Sequence, residues 1–89
     1  MAEVYLPTTL HPLFPGLTRR LEVGASTVGE AIDELDAQWP GLRDRLCQPG
    51  PVLRPHINVY VDRERAELGT PIAAGSRVDV IAAISGGLY

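Results

Sequence analysis

The residues best suited to chemistry lie near the carboxyl-terminal end of the sequence, where Gly86 and Gly87 follow a predicted strand and precede Leu88 and Tyr89. Glycine has no Cβ atom, so the pair predicts a thin, flexible arm. Such an arm fits a channel too narrow for any side chain and carries its backbone carbonyl to a partner's reactive centre. Two glycines alone also fit a frayed tail, but their position directly after a strand favours the arm. The chemistry then belongs to the partner, and the chain itself needs no catalytic residue.

Conventional catalytic and metal-binding residues are sparse in this sequence. Cys47 is the only cysteine, which excludes an internal disulfide and a zinc site built from several cysteines. Neither His11 nor His56 has a spacing to Cys47 that suggests a nucleophile and its base, and no ligand pair at helical spacing is present. We therefore expect Cys47 to be a small buried apolar side chain, and we predict no catalytic residue and no metal site.

Two surface features are weaker candidates for contacts with a partner. Tyr5 and Tyr60 fit an exposed aromatic contact, although ordinary packing on a sheet face explains them equally well. Arg19 and Arg20 fit a solvated strand position better than a phosphate site.

The composition indicates a single small domain. The chain has 89 residues, and 45% of them are apolar, which is enough for a compact core and too much for intrinsic disorder. Its 8 basic residues, all of them Arg, and 11 acidic residues give a net charge of −3, which argues against a nucleic-acid-binding module. No apolar run approaches the roughly 20 residues of a membrane helix, and the first residues lack a signal-peptide pattern. We expect a cytoplasmic domain without a membrane or nucleic-acid partner.

The arm must be positioned by the elements that precede it, and the first of these are two strands. Val4 and Leu6 share one face of the first strand, which Pro7 limits. Leu21 and Val23 mark a second strand that ends at Gly24. The connection between them, residues 7–16, contains three prolines and predicts a loop or an irregular hairpin. We expect the two strands to pair in antiparallel fashion.

A helix is predicted to begin at Thr27. Thr27 is the expected N-cap, and Glu30 is expected to reach back to the N-cap amide as a capping box. An apolar stripe follows at Val28, Ala31, Ile32, Leu35 and Trp39. Pro40 ends this helix at Trp39, and Leu42 and Leu46 fit a short extra helical turn.

The remaining elements are strands. Residues 57–61 alternate between apolar and polar side chains, and the charged tip 62–65 leads to a short return strand around residues 66–68. The last strand, residues 77–84, has apolar residues on both faces, which places it in the centre of the sheet. The order predicts an α+β domain with one main helix on one face of a mixed sheet of four to five strands.

The sequence resembles the MoaD/ThiS family of ubiquitin-like sulfur carrier proteins over nearly its whole length. The resemblance rests on the opening Val-Tyr-Leu-Pro at 4–7, the helix entry at 27–35, the strand at 57–61, and the ending from Leu68 through Gly69-Thr70-Pro71 to Gly86-Gly87. It implies a β-grasp domain at residues 1–85 and a flexible tail at residues 86–89. Ser76 departs from the Asp common at this position in the family, a change that alters only a turn.

The resemblance also implies a chemistry for the tail. An E1-like enzyme adenylates the carboxylate of Gly87 with ATP, and a sulfur donor displaces AMP to leave a thiocarboxylate. Gly86 is the flexible neighbour of that site, and the chain itself binds no cofactor. Contacts with partners are expected from the exposed sheet face, including Tyr60 and Arg77.

Family members usually end at the second glycine, whereas here Gly87 is followed by Leu88 and Tyr89. The peptide bond after Gly87 occupies the carboxyl group that the chemistry needs. Relatives with such extensions are matched to a JAMM-type zinc metalloprotease, so we expect cleavage between Gly87 and Leu88. The resemblance then favours a sulfur-accepting enzyme of cysteine, homocysteine or thio-metabolite biosynthesis. A molybdopterin synthase small subunit and a thiamine-type carrier are alternatives.

Two functions of other classes fit the same sequence. The first is a ubiquitin-like modifier joined to a substrate lysine through the same carboxyl group. The absence of Lys from the sequence excludes lysine-linked polymers of this chain, but it does not exclude attachment to other proteins. The second is an inert interaction module that uses the same fold.

Overall fold

Residues 1–83 are described by a computed structural model of the chain. Its helices are α1 (Val28–Gln38) and α2 (Leu42–Leu46). Its strands are β1 (Ala2–Tyr5), β2 (Arg20–Val23), β3 (Cys47–Gln48), β4 (Val52–Leu53), β5 (Ile57–Val61), β6 (Glu64–Ala66) and β7 (Arg77–Ala82).

Five of the strands form a mixed sheet in the order β2-β1-β7-β5-β6. β1 and β7 run parallel, and the other neighbours run antiparallel, including the predicted pair of β1 and β2. β7 lies in the middle, as its apolar residues on both faces predicted. With α1 packed on one face, this arrangement confirms the α+β class and the β-grasp fold.

The amino-terminal end of α1 lies where the sequence predicts it. The Oγ1 atom of Thr27 accepts a hydrogen bond of 3.1 Å from the N–H of Glu30. The other half of the predicted capping box is wrong in one detail: the Glu30 carboxylate accepts from the N–H of Ser26, at 3.0 Å, and not from Thr27. Thr27 itself is extended, with φ −138° and ψ 163°, and an isolated bridge pairs it with the distant Pro71, a contact that no local pattern predicts.

The core lies between the sheet and the two helices. The first four residues of the predicted stripe on α1 are buried, and Trp39, the C-cap, packs against their cluster. Leu42 and Leu46 are 0% exposed, which confirms the predicted extra turn as α2. Gly29 lies in the first turn of α1, where a Cβ atom would meet the carbonyl oxygen of Leu68 at 3.2 Å. The close approach of the backbone at Leu68 therefore accounts for a glycine at this position, although glycine has a low helix propensity.

Three predicted segments differ in detail, and one pair of short strands was not predicted. The proline-rich connection contains a 3-10 helix (Thr8–Leu13), and the pair β3–β4 is too short to show a periodic pattern. The return strand β6 begins earlier than predicted because Asp62 and Arg63 adopt positive φ angles and turn the chain at once. β7 ends at Ala82, which pairs with Ile57, the first residue of β5.

Ile84 and the predicted tail, residues 86–89, lie outside the described residues. Among residues 1–83, no helix is long and apolar enough to cross a bilayer.

Candidate functional site

The last described residue is fixed to the sheet by its backbone. The N–H of Ala83 donates a hydrogen bond of 2.7 Å to the carbonyl oxygen of His56, directly beyond the pairing of Ile57 with Ala82. Gly87 follows four positions later in the sequence. The predicted site residues Gly86, Gly87 and Leu88 lie outside the described part of the chain, so their roles stay predictions. The structure does establish that the chain up to Ala83 is held at the end of β7, the middle strand of the sheet.

The face of the sheet opposite α1 carries a row of polar side chains, one from each of its five strands. The register aligns them across the sheet in the order Arg20, Tyr5, Asp79, Tyr60 and Arg65. Directly opposed residues of neighbouring strands point to the same face. We call this surface the open face; it is uncovered within residues 1–83.

Arg77 joins this row through contacts on two sides. Its guanidinium lies over the ring of Tyr5, 4.0 Å from the centroid, and its Nη2 atom is 3.0 Å from Oδ1 of Asp79. The hydrogen bond to Asp79 raises the pKa of Arg77, so the guanidinium stays charged. Tyr60 is the cross-strand neighbour of Asp79, and Arg77 precedes Asp79 by two positions on the same strand. The two predicted contact residues, Tyr60 and Arg77, are therefore both neighbours of Asp79. Their role in partner binding stays a prediction.

An apolar side chain extends the open face towards the end of β7. Ile81 is 48% exposed, two residues beyond Asp79 on the same side of the strand. Beside it lies a shallow depression of about 450 Å³ whose lining includes Tyr5, Arg19 and Ala82. Sequence reasoning did not single out Asp79 or Ile81, although the period-2 alternation of β7 places both on this face. Arg20 is a solvated strand residue, as expected, and forms an ion pair with Glu3.

The conventional candidates are not brought together into a reactive group. Cys47 is buried, as predicted, and burial raises the pKa of its thiol, which disfavours the nucleophilic thiolate. His56 is exposed, whereas Nε2 of His11 is buried without a hydrogen-bond partner in the described part of the chain. Residues 1–83 contain no group of three or more His, Cys, Asp or Glu side chains arranged to hold a metal ion.

Comparison with known proteins identifies similar sequences of the same size. The model of the ThiS family matches residues 5–87. The sulfur carrier protein CysO of Mycobacterium tuberculosis is 32% identical over 90 residues, which cover 94% of this chain and 96% of that protein. Small archaeal modifier protein 1 of Haloferax volcanii is 39% identical over 71 residues, which cover 79% of this chain and 82% of the modifier.

The solved structures agree with these matches. A chain in the crystal structure of the BexX/CysO complex of Amycolatopsis orientalis superposes with a TM-score of 0.86 at 28% identity, covering 98% of this chain and all of that one. Crystalline Mycobacterium tuberculosis CysO gives a TM-score of 0.81 at 31% identity, covering 94% of this chain and 100% of that chain. These relatives are small carrier or modifier proteins.

Proposed function

The chain belongs to the ThiS family, and we propose that it carries sulfur as a thiocarboxylate on Gly87. The observation that carries this proposal is that the family match ends at Gly87, the second glycine, and leaves Leu88 and Tyr89 outside it. The geometry of the described residues supports the proposal, because the N–H of Ala83 is bonded to His56 at the end of the middle strand and Gly87 is only four positions later in the sequence.

The first step is removal of whatever follows Gly87. Hydrolysis of the Gly87–Leu88 peptide bond adds one water molecule and leaves a free carboxylate on Gly87 and a free amine on Leu88. We assign this step to a JAMM-type zinc metalloprotease, which supplies the catalytic metal.

The second step converts a poor acyl electrophile into a good one. A carboxylate oxygen of Gly87 attacks the α-phosphorus of ATP in an E1-like enzyme and releases pyrophosphate. The mixed anhydride that forms has AMP as its leaving group. A hydrosulfide ion then attacks the carbonyl carbon, AMP departs with the bridging oxygen, and loss of the proton on sulfur leaves the thiocarboxylate.

The open face is the surface on which these enzymes dock in this proposal. Tyr60 and Arg77 offer an aromatic ring and a charged, bidentate donor, and Ile81 offers an apolar contact close to the start of the arm. Tyr and Arg are enriched among the residues that dominate protein interfaces. The final acceptor belongs to cysteine, homocysteine or thio-metabolite biosynthesis in the main proposal, with molybdopterin and thiamine pathways as alternatives.

Intact-mass analysis tests the proposal. The chain is produced with the protease, the E1-like enzyme and a sulfur source, and each enzyme is omitted in turn. We expect loss of Leu88-Tyr89 when the protease is present, followed by exchange of one oxygen for sulfur only when all components are present. A terminus that stays unaltered with the complete set contradicts the proposal.

A ubiquitin-like modifier is the second candidate, and similarity to the Haloferax volcanii modifier favours it. In this case the activated Gly87 carbonyl is transferred to a lysine amine of another protein. The same mass experiment separates the two functions, since a modifier gives covalent adducts on other proteins and a carrier gives a free thiocarboxylate.

A further inference from the structure

We propose that a basic depression formed by Arg45, Arg54 and His56 binds an acidic segment of the enzyme that activates Gly87. The inference rests on the proposed function, and it names a docking site outside the open face. We call these three residues, with the apolar surface between them, the basic depression.

The basic depression lies between α2 and the start of β5. It has a volume of about 590 Å³, and its apolar lining includes Phe14 and Pro40. Arg45 and His56 are exposed, and Arg54 is half-buried. Asp44 also lines it and contributes one negative charge against two guanidinium groups. The site therefore offers donors and net positive charge beside an apolar wall.

Arg54 is held in place by bonds that leave its charge unneutralised. Its Nε donates to the carbonyl oxygen of Asp44 at 2.8 Å, and its backbone N–H donates to Leu46 at 2.9 Å. The ion pairs formed within residues 1–83 involve three other arginines, and neither Arg45 nor Arg54 has a carboxylate within 4 Å there. A fixed guanidinium with free Nη donors is suited to bidentate binding of a carboxylate.

The position of the basic depression points to the occupant. His56 lines it, and the carbonyl oxygen of His56 binds the N–H of Ala83, the last described residue. Gly87 lies four positions after Ala83, and four residues span at most about 14 Å when fully extended. An enzyme that holds the carbonyl of Gly87 in its active site must therefore lie against this end of the sheet, within reach of the depression.

Charge complementarity defines the chemistry of that enzyme surface. The chain carries a net charge of −3, so the positive charge of Arg45 and Arg54 at this depression can orient the molecule as it approaches an acidic surface. An acidic segment is attracted to this end, while the remainder of the molecule carries a net negative charge, which favours encounters at this end of the sheet.

Kinetics of adenylation test the inference. The chain ending at Gly87 is assayed by ATP–pyrophosphate exchange with the E1-like enzyme of the same genome, as wild type, R45E and R45E/R54E. R54E removes the hydrogen bond from Arg54 to the carbonyl oxygen of Asp44, so the double variant can lose stability. R45E is the safer variant, because Arg45 is exposed and its replacement is expected to preserve the fold. We expect KM for the carrier to rise about fivefold in R45E and about tenfold or more in R45E/R54E, with kcat unchanged, as for charged residues at the rim of an interface. R63E is the matched control, because Arg63 is exposed and lies at the turn at the opposite end of β5.

Each result bears on the inference. A KM that is unchanged in R45E, or raised equally in R63E, overturns it while the proposed function stands. Absence of exchange with the wild type overturns the proposed function and the docking site together. Sedimentation velocity provides the last check. If the wild type forms a dimer and R45E does not, the depression binds a second copy of the chain, and the inference is overturned.

Discussion

The backbone N–H of Ala83 donates a 2.7 Å hydrogen bond to the carbonyl oxygen of His56, so the backbone is held in place just beyond β7, the central strand. Their contact sets where the following residues begin, and four positions later stands Gly87. Because Ala83 is held in place and Gly87 is only four positions later, an enzyme that acts on Gly87 must bind close to this end of the sheet.

Replacing Gly87 with Ala should block activation and leave the fold intact. The added methyl group obstructs a channel shaped for a residue without Cβ, while the site lies beyond the end of β7 at Ala82. We expect loss of pyrophosphate exchange and a change in the free energy of unfolding below about 0.5 kcal/mol, as for substitutions away from the core. Urea titrations check the second point, and loss of folding in G87A would show that the tail belongs to the packed domain.

The open face should contribute to binding more than to stability. Tyr60→Ala and Arg77→Ala remove contacts on either side of Asp79 and leave the buried face of the sheet untouched. We expect each variant to raise KM in the exchange assay and to leave Tm nearly unchanged.

Glu67→Ala is the control for these two variants, because Glu67 is exposed and outside the five-stranded sheet. An equal effect of all three variants on KM would remove the case for a specific docking face.

Asp62 should make the fold sensitive to acid. The backbone N–H of Arg77 donates to its carboxylate at 2.9 Å, and this hydrogen bond lowers the pKa of Asp62 below the ordinary value of 3.8. A carboxyl group whose pKa is lowered by folding stabilises the folded state above its ordinary pKa, and the contribution is lost as pH falls through the lowered pKa.

Asp62→Asn removes this titration and keeps a residue type that tolerates the φ angle of 49°. We expect the urea midpoint of the wild type to fall more steeply below pH 3.8 than that of D62N, with urea titrations at a series of pH values as the measurement. Parallel profiles for the two proteins would contradict the assignment.

The N-cap of α1 should contribute to stability and not to partner binding. Thr27→Ala removes the acceptor of the Glu30 N–H and should lower the free energy of unfolding by about 1 kcal/mol. Ser26→Ala is the matched control, because the hydrogen bond at Ser26 uses its backbone and not its hydroxyl. Chemical denaturation of both variants checks the difference, and equal losses would show that the cap contributes nothing specific.

The elements predicted from sequence were those with a local physical cause. The apolar stripe that begins at Val28 and the proline after Trp39 fix the extent of α1, and the alternation in residues 57–61 fixes β5. The central position of β7 was also predicted from its own residues, because apolar residues occur on both of its faces, Val78 and Val80 on one and Ile81 on the other.

The details that sequence reasoning missed depend on contacts between distant segments. The Glu30 carboxylate accepts from the N–H of Ser26, and the adjacent Thr27 forms a bridge with the distant Pro71. The basic depression joins Arg45 on α2 to His56 at the start of β5, and no local pattern relates the two. For the tail, the sequence motif remains the basis of the prediction, since Gly86 and Gly87 lie outside the described residues.

Activation requires a free carboxyl group on Gly87, and ATP–pyrophosphate exchange measures its presence most directly. Two forms of the chain, one ending at Gly87 and one retaining Leu88-Tyr89, are compared with the same E1-like enzyme and without the protease. We predict exchange with the shorter form only, and its appearance with the longer form once the protease is added. Exchange with neither form, or equal exchange with both in the absence of protease, would contradict the claim.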